Sequence, residues 1–209
     1  MTTKARSKTT AKKSRSNTNS PKSRTTKSSN GKKHKTLEEL LEDNLKDVYS
    51  AELQLIDALP EMADAAHNSE LQQAFTNHLE QTKRHLSRLE KVFDKFEIDT
   101  DEVETCKAME GLIEEGKKII NEYEESHVRD SALIIGAQKI EHYEIAAYGS
   151  LCELADVLGY SNLHDLLGRT LDEEETTDEE LTEIAAAIND EAREMSEGEM
   201  EHEDDNFEK

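Results

Sequence analysis

From residue 36 to residue 189 the apolar residues recur at helical spacing, and no stretch alternates with period two. Breakers are scarce, with 8 Gly and 2 Pro in 209 residues. The pattern predicts an all-α chain. A first helix is expected over 37–66, with an inner stripe of Leu41, Leu45, Val48, Glu52, Leu55 and Leu59. Pro60 falls inside it and should bend or interrupt it, because proline lacks the amide hydrogen that the ladder needs. Asn68-Ser69 allows only a very short turn, and Ser69-Glu70-Leu71-Gln72 has the form of a capping box. A second helix over 70–96 then puts Leu71, Phe75, His78, Thr82, His85, Leu89, Val92 and Phe96 on one face.

A turn that short makes the first two helices antiparallel neighbours. Residues 97–128 form a longer connection with a short helix near 103–123. A third long helix is expected over 128–158, stopped by Gly159. Ser161 reads as the N-cap of a fourth, over 162–189. Its stripe is Leu163, Leu167, Thr170, Glu174, Thr177, Leu181, Ile184 and Ile188. Two antiparallel hairpins joined by one long crossover make the ferritin-like form of the four-helix bundle. Neither hairpin can hide its own stripe, so the two must share a core spanning residues 36–189.

The ends differ in character. Residues 1–35 hold twelve Lys/Arg and no Asp or Glu, in a background of Ser, Thr, Asn and Gly. Such a segment buries too little to offset its ordering entropy and reads as a disordered basic tail. It has no apolar run, so it is neither a secretory signal nor a membrane span, and it lacks the Leu/Phe content of an amphipathic transit peptide. Beyond it, 26 − 12 = 14 basic residues face all 48 acidic ones, a balance of −34. That body is either a solvated acidic surface or a partner for the arm of another copy; the arm itself suits polyanions. Residues 190–209 form an acidic tail with little to bury and are expected to be frayed or disordered. Cys106 and Cys152 have no metal-type spacing; they suit a reducing cytoplasm as small buried side chains.

Polar residues interrupt each inner stripe near its midpoint. They are Glu52, His78, the pair Glu141 and Glu144, and Glu174, with Asp178 four residues further on. Glu141 and Glu144 share a face with Ile134, Ala137, Tyr148, Leu151, Ala155 and Leu158. Inward charge is costly, and like charges at i,i+3 repel. Bound cations remove both penalties, and converging carboxylates with an imidazole suit iron or manganese. Tyr49 and Tyr148 flank the layer as hydrogen-bond partners or redox-active neighbours. An acid-rich chain also produces Glu-x-x-Glu by chance, and the run Asp172 to Glu175 must turn some carboxylate inward whatever its role. Glu80 lies about 200° around the helix from His78 and should face solvent. His85, nearly two turns beyond His78, reads as a packed core residue. His142 should point into the crossover or a partner.

Asp47-Val48-Tyr49-Ser50-Ala51-Glu52-Leu53-Gln54, Ala74 to Thr82, Met109 to Glu115 and Gln138 to Tyr148 together resemble the YciE/YciF family of bacterial ferritin-like proteins. The resemblance covers about residues 36–189 in order. It implies a rubrerythrin-like bundle that forms homodimers, carries a two-metal centre and is associated with stress responses. One departure stands out. Di-iron proteins carry Glu-x-x-His on two helices, whereas here Glu80 is followed by Lys83 and Glu174 by Thr177, and Glu124-x-x-His127 falls in the crossover. The site is therefore expected to be poorer in nitrogen ligands or only partly occupied. Glu110 and Glu114 of the crossover helix are candidates for an outer layer of the site or simply cover the bundle.

Three functions fit. The first is a metal-centred redox protein meeting peroxide or oxygen; the chain has no Cys-based rubredoxin module, so electrons would come from a partner. The second is a nucleic-acid-associated protein whose arm binds phosphates without sequence preference through Lys12, Lys13, Arg15, Lys22, Arg24, Lys27, Lys32 and Lys33. The third is a metal-free structural bundle. No catalytic residue is identified by the sequence.

Overall fold

The computed structural model describes residues 34–207, with side chains through 195. Its elements are α1 (Leu37–Ala65), α2 (Ser69–Phe96), a 3-10 turn (Thr100–Glu102), α3 (Lys107–Glu122), α4 (His127–Val157) and α5 (Ser161–Phe207). The segment 1–33, with the eight basic residues proposed for nucleic acid, lies outside the described residues.

Local chemistry sets the helix ends. Thr36 and Glu39 form a reciprocal capping box at the start of α1. The cap of α2 is not Ser69, as expected, but Asn68. Its side-chain oxygen accepts from the amides of Glu70 (2.8 Å) and Leu71 (3.2 Å). Asparagine beside serine can take the cap one residue earlier, since both place an acceptor over the free amides. Gly159 follows α4 with φ of 77°, a left-handed turn that glycine enters without strain. The interruption that Pro60 could have caused is not seen: α1 runs through it, with Pro60 exposed. α5 continues past the expected end at 189 to Phe207, through a Glu- and Ala-containing stretch free of proline.

α1 pairs with α2 and α4 with α5 as antiparallel hairpins, while α1 packs on α4 and α2 on α5 to close the bundle. α3 lies outside, against α1 and α4. The hairpins are pinned at one end by Asp130. This fully buried α4 carboxylate accepts from the backbone amides of His67 (2.7 Å) and Asn68 (2.8 Å) in the α1–α2 turn. At the α3 start, the Cys106 amide donates to Ser50 Oγ (2.9 Å), and the Tyr143 hydroxyl donates to Asp47 (2.7 Å). Both cysteines are free and buried.

The core is split in two. One apolar cluster contains Leu55, Leu59, Leu71, Phe75, Leu133 and Leu181. The other contains Leu45, Val48, Leu89, Val92, Leu151 and Leu167. Each long helix contributes to both, and near the junction of the two contributions lie Glu52 on α1, His78 and His85 on α2, Glu141 and Glu144 on α4 and Glu174 on α5. No described helix is long and apolar enough to cross a membrane.

Candidate metal centre

Between the apolar clusters lies a layer of six ionisable side chains, all at most 3 % exposed. α1 supplies Glu52, α2 His78 and His85, α4 Glu141 and Glu144, and α5 Glu174. They form two overlapping sets whose ligand-type atoms lie within 4.8 Å of one another: His78, Glu141, Glu144 and Glu174, and Glu52, His85 and Glu174. Glu174 belongs to both sets.

Each imidazole has one nitrogen anchored in protein and the other turned toward the carboxylates. His78 Nδ1 lies 3.3 Å from Gln81 Oε1 and 3.4 Å from Thr177 Oγ1, while Nε2 lies 3.4 Å from Glu141. His85 Nε2 is 2.7 Å from Glu173 Oε2. His85 Nδ1 faces inward, 2.9 Å from Glu174 and 3.5 Å from Glu52, but is not aligned to hydrogen-bond either. Arg88 grips both oxygens of Glu173 at 2.7 Å and reaches Thr170 Oγ1 at 3.1 Å. The Tyr148 hydroxyl donates to Glu52 Oε1.

The electrostatics of the bare layer are unfavourable. Burial first, and then the charge of Glu174, push Glu141 and Glu144 well above the ordinary carboxylate range. Burial also raises Glu52 and lowers His78. Burial opposes protonation of His85 too, but the close carboxylates of Glu174 and Glu52 outweigh it and raise this imidazole to about 10. Tyr148 is raised by burial and the neighbouring carboxylates. Outside the layer the Arg88 clamp holds Glu173 down at about 2.

The layer also leaves buried atoms without hydrogen-bond partners. They are Glu52 Oε2, Glu141 Oε2, both oxygens of Glu144 and of Glu174, His78 Nε2 and His85 Nδ1. Buried polar atoms ordinarily find partners, and leaving one unpaired costs about 1–3 kcal/mol. Among the described residues only His127 Nδ1 and Arg129 Nε are orphaned outside the layer; the other eight belong to the six groups and are of the types that ligate metal. The donor set fits a pair of divalent ions in kind and in charge: four carboxylates balance two dications, and two neutral imidazoles complete the set.

Some sequence-stripe candidates are placed elsewhere. Asp178 is partly exposed and belongs to neither set. It accepts from Gln138 (3.3 Å) and faces His142 (3.2 Å), though its charge still adds to the load on Glu141. Tyr49 stacks on Phe93 with ring centroids 4.7 Å apart and lies in the apolar cluster. Glu110 pairs with Lys107 (2.6 Å) and Glu114 is exposed, so α3 covers the bundle and adds no carboxylate to the layer. Glu80 is exposed and pairs with Lys83 (2.7 Å). His142 points neither to the crossover nor inward but to Asp178 at the surface.

The largest revision concerns His85. Seven residues separate it from His78, a rise of about 10 Å along the helix, which argued for a plain core role. The rings nevertheless lie 6.5 Å apart between centroids, and His85 joins the second set. The layer is not short of nitrogen: it has four glutamates and two histidines, with both histidines on α2 and a carboxylate pair on α4. The near-identical facing of residues seven apart was the available signal. Nothing along the chain pairs Arg88 with Glu173, whose contact depends on how α2 meets α5.

Comparison with known proteins agrees with this architecture. Residues 36–194 match the family described as "Domain of unknown function (DUF892)". The chain is 47 % identical over 151 residues to protein YciF of Escherichia coli K12, covering 72 % of this chain and 91 % of that protein. The crystal structure of the E. coli stress protein YciF superposes with a TM-score of 0.70 at 44 % identity, over 75 % of this chain and 99 % of that one. A Xanthomonas campestris protein at 19 % identity shares the fold, with a TM-score of 0.58 over 78 % of this chain and 99 % of that one. The chain therefore belongs to the DUF892 family, the YciE/YciF proteins that its sequence resembles.

Proposed function

We propose that this chain is a ferritin-like, stress-related protein that holds two oxygen-preferring metal ions, iron or manganese, between its apolar clusters, and that it acts on peroxide or oxygen or handles iron. The observation that supports the reading is the set of unpartnered buried ligand atoms on Glu52, His78, His85, Glu141, Glu144 and Glu174. The stress association follows the description of the E. coli relative as a stress protein.

In this reading His78, Glu141 and Glu144 hold one ion, Glu52 and His85 the other, and Glu174 is common to both. Bound iron would supply one-electron redox chemistry. The chain's own part is to orient and to exclude water. Gln81 and Thr177 keep the His78 Nε2 lone pair turned inward. Glu173 does the same for His85 Nδ1 by accepting from Nε2. The Tyr148 hydroxyl holds one oxygen of Glu52, and the apolar clusters on either side keep solvent from the layer.

Metal analysis of protein loaded anaerobically with Fe(II) and then desalted tests the centre. About two ions per chain are expected in the wild type and at most one in Glu141→Ala/Glu144→Ala, which strips the carboxylate pair from one set and leaves Glu52, His85 and Glu174, and peroxide added to the loaded protein should give a ferric absorbance change. Wild-type protein that keeps no metal would leave the metal-free structural reading.

A second reading concerns residues 1–35, where twelve basic residues with no acidic ones favour sequence-blind contact with nucleic acid. Deleting them should abolish DNA retention at low salt. The homodimer implied by the family resemblance is tested by sedimentation of the same two proteins.

A further inference from the structure

Buried ligands must be reached, and one seam of the bundle has the shape and charge of a route. A surface groove of about 580 Å³ runs along α2 and α5, with Glu70, Asn77, Glu180 and Glu183 among its walls. Below it a narrow cavity of about 10 Å³, the room one water molecule needs, extends to His78 and Glu141. Ala74 and Glu180 line both spaces, so the floor of the groove is the roof of the cavity.

Three observations converge on a cation as the traveller. Glu70, Glu180 and Glu183 are exposed, and no basic side chain among the described residues pairs with them. Some other surface acids have such partners, as Glu80 has Lys83 and Glu115 has Lys139. At the inner end, His78 and Glu141 are 3 % and 2 % exposed, and each turns an unpartnered ligand atom into the layer beyond. Between the two ends the wall is the small side chain of Ala74. A fully hydrated dication fits the groove but not the cavity, so it must shed water at the roof, where the Glu180 carboxylate can replace what is lost.

We propose that divalent cations reach the buried layer through the α2–α5 seam, gathered by Glu70, Glu180 and Glu183 and passed beside Ala74 to His78 and Glu141. The inference rests on the reading of the layer as a metal centre. A route differs from a ligand in its signature: altering a route changes rates in both directions and leaves the final occupancy alone.

Stopped-flow uptake of Co(II), followed by its visible absorption, tests the route on the full chain. Glu180→Gln/Glu183→Gln should load about tenfold more slowly than wild type at low ionic strength, with the gap closing as salt is added and the end-point spectrum unchanged. Glu153→Gln/Asp156→Asn, exposed on α4, controls for net charge and should load at the wild-type rate. Ala74→Leu should slow both loading and removal by EDTA at unchanged stoichiometry, its circular dichroism confirming the fold. Equal loading rates in the seam and control variants would overturn the route, as would a lower end-point occupancy in the seam variant, which would make those residues ligands. Loading of the wild type at full stoichiometry with no effect of the seam changes sinks the route alone. Failure of the wild type to take up Co(II) sinks the route and the metal centre together.

Discussion

Glu173 shows how much a single residue outside the layer can decide. It lies 2.7 Å from His85 Nε2 and is itself clamped by Arg88, so it fixes which ring nitrogen of His85 faces Glu52 and Glu174. Glu173→Gln removes the charge and allows the amide to present its donor instead. The expected result is a 10- to 100-fold loss of affinity for one of two Mn(II) ions, measured by competition with a chelator, with the second ion little affected. Equal weakening of both would mean that Glu173 acts on the whole bundle and not through His85. Its neighbour Glu174 is fully buried, although the two are adjacent in a run of four acidic residues. Helical facing identifies Glu174 as the inward member. It does not show that Glu173, turned 100° away, meets a histidine that the same helical rule had assigned to packing.

At the scale of elements, the layer depends on the height at which each helix is held against the next. Polar residues occur at the middle of every stripe, so two hairpins meeting at the right height bring them level; a slip of one turn would set carboxylates against leucines. The α1–α2 turn and α4 are joined by Asp130, a buried side chain that accepts two part-buried backbone hydrogen bonds. Asp130→Ala leaves two amides without acceptors and should cost about 2–4 kcal/mol in urea unfolding, while Asn68→Ala, which removes only the α2 cap, should cost about 1 kcal/mol. Similar costs for the two would show that Asp130 does not hold the hairpins in register. Asp130 was invisible to stripe analysis because a buried acid at the start of a helix looks like first-turn charge favoured by the helix dipole.

For the whole molecule, the layer makes stability depend on pH in a direction that metal should reverse. In the metal-free protein Glu141 and Glu144 are raised above the ordinary 4.5, so the folded state keeps protons that the unfolded chain gives up. Their favourable contribution is complete below about pH 4.5 and declines as pH rises through the raised values. His85, raised from 6.5 to about 10, acts in the same sense, with its contribution present below 6.5 and lost by about 10. Glu173, held at about 2, opposes them only at the acid end, where its contribution falls away between 4.5 and 2. His78, lowered by burial, acts in the opposite sense below 6.5, so protein treated with EDTA should lose thermal stability most clearly from pH 6.5 to pH 9. The Mn(II)-loaded form should gain over the same range, because metal replaces the protons. Glu141→Gln/Glu144→Gln should flatten the metal-free slope and stabilise the metal-free protein at pH 8 by about 1–3 kcal/mol, as expected when buried charge is removed. A metal-free slope that rises with pH would contradict the buried-carboxylate account.

Sequence alone determined the helices, their pairing into two hairpins, the glycine stop at Gly159 and the residues on each inner stripe. Those properties follow from the 3.6-residue period and from local backbone chemistry, both written in consecutive residues. Only the tertiary structure decided that His85 joins the layer while Asp178 and Tyr49 turn elsewhere, that Arg88 meets Glu173, and that the α2–α5 seam opens above His78. Each of these depends on the relative height and rotation of two helices, set by the packing of all the side chains between them, and the period of a single helix carries no measure of either.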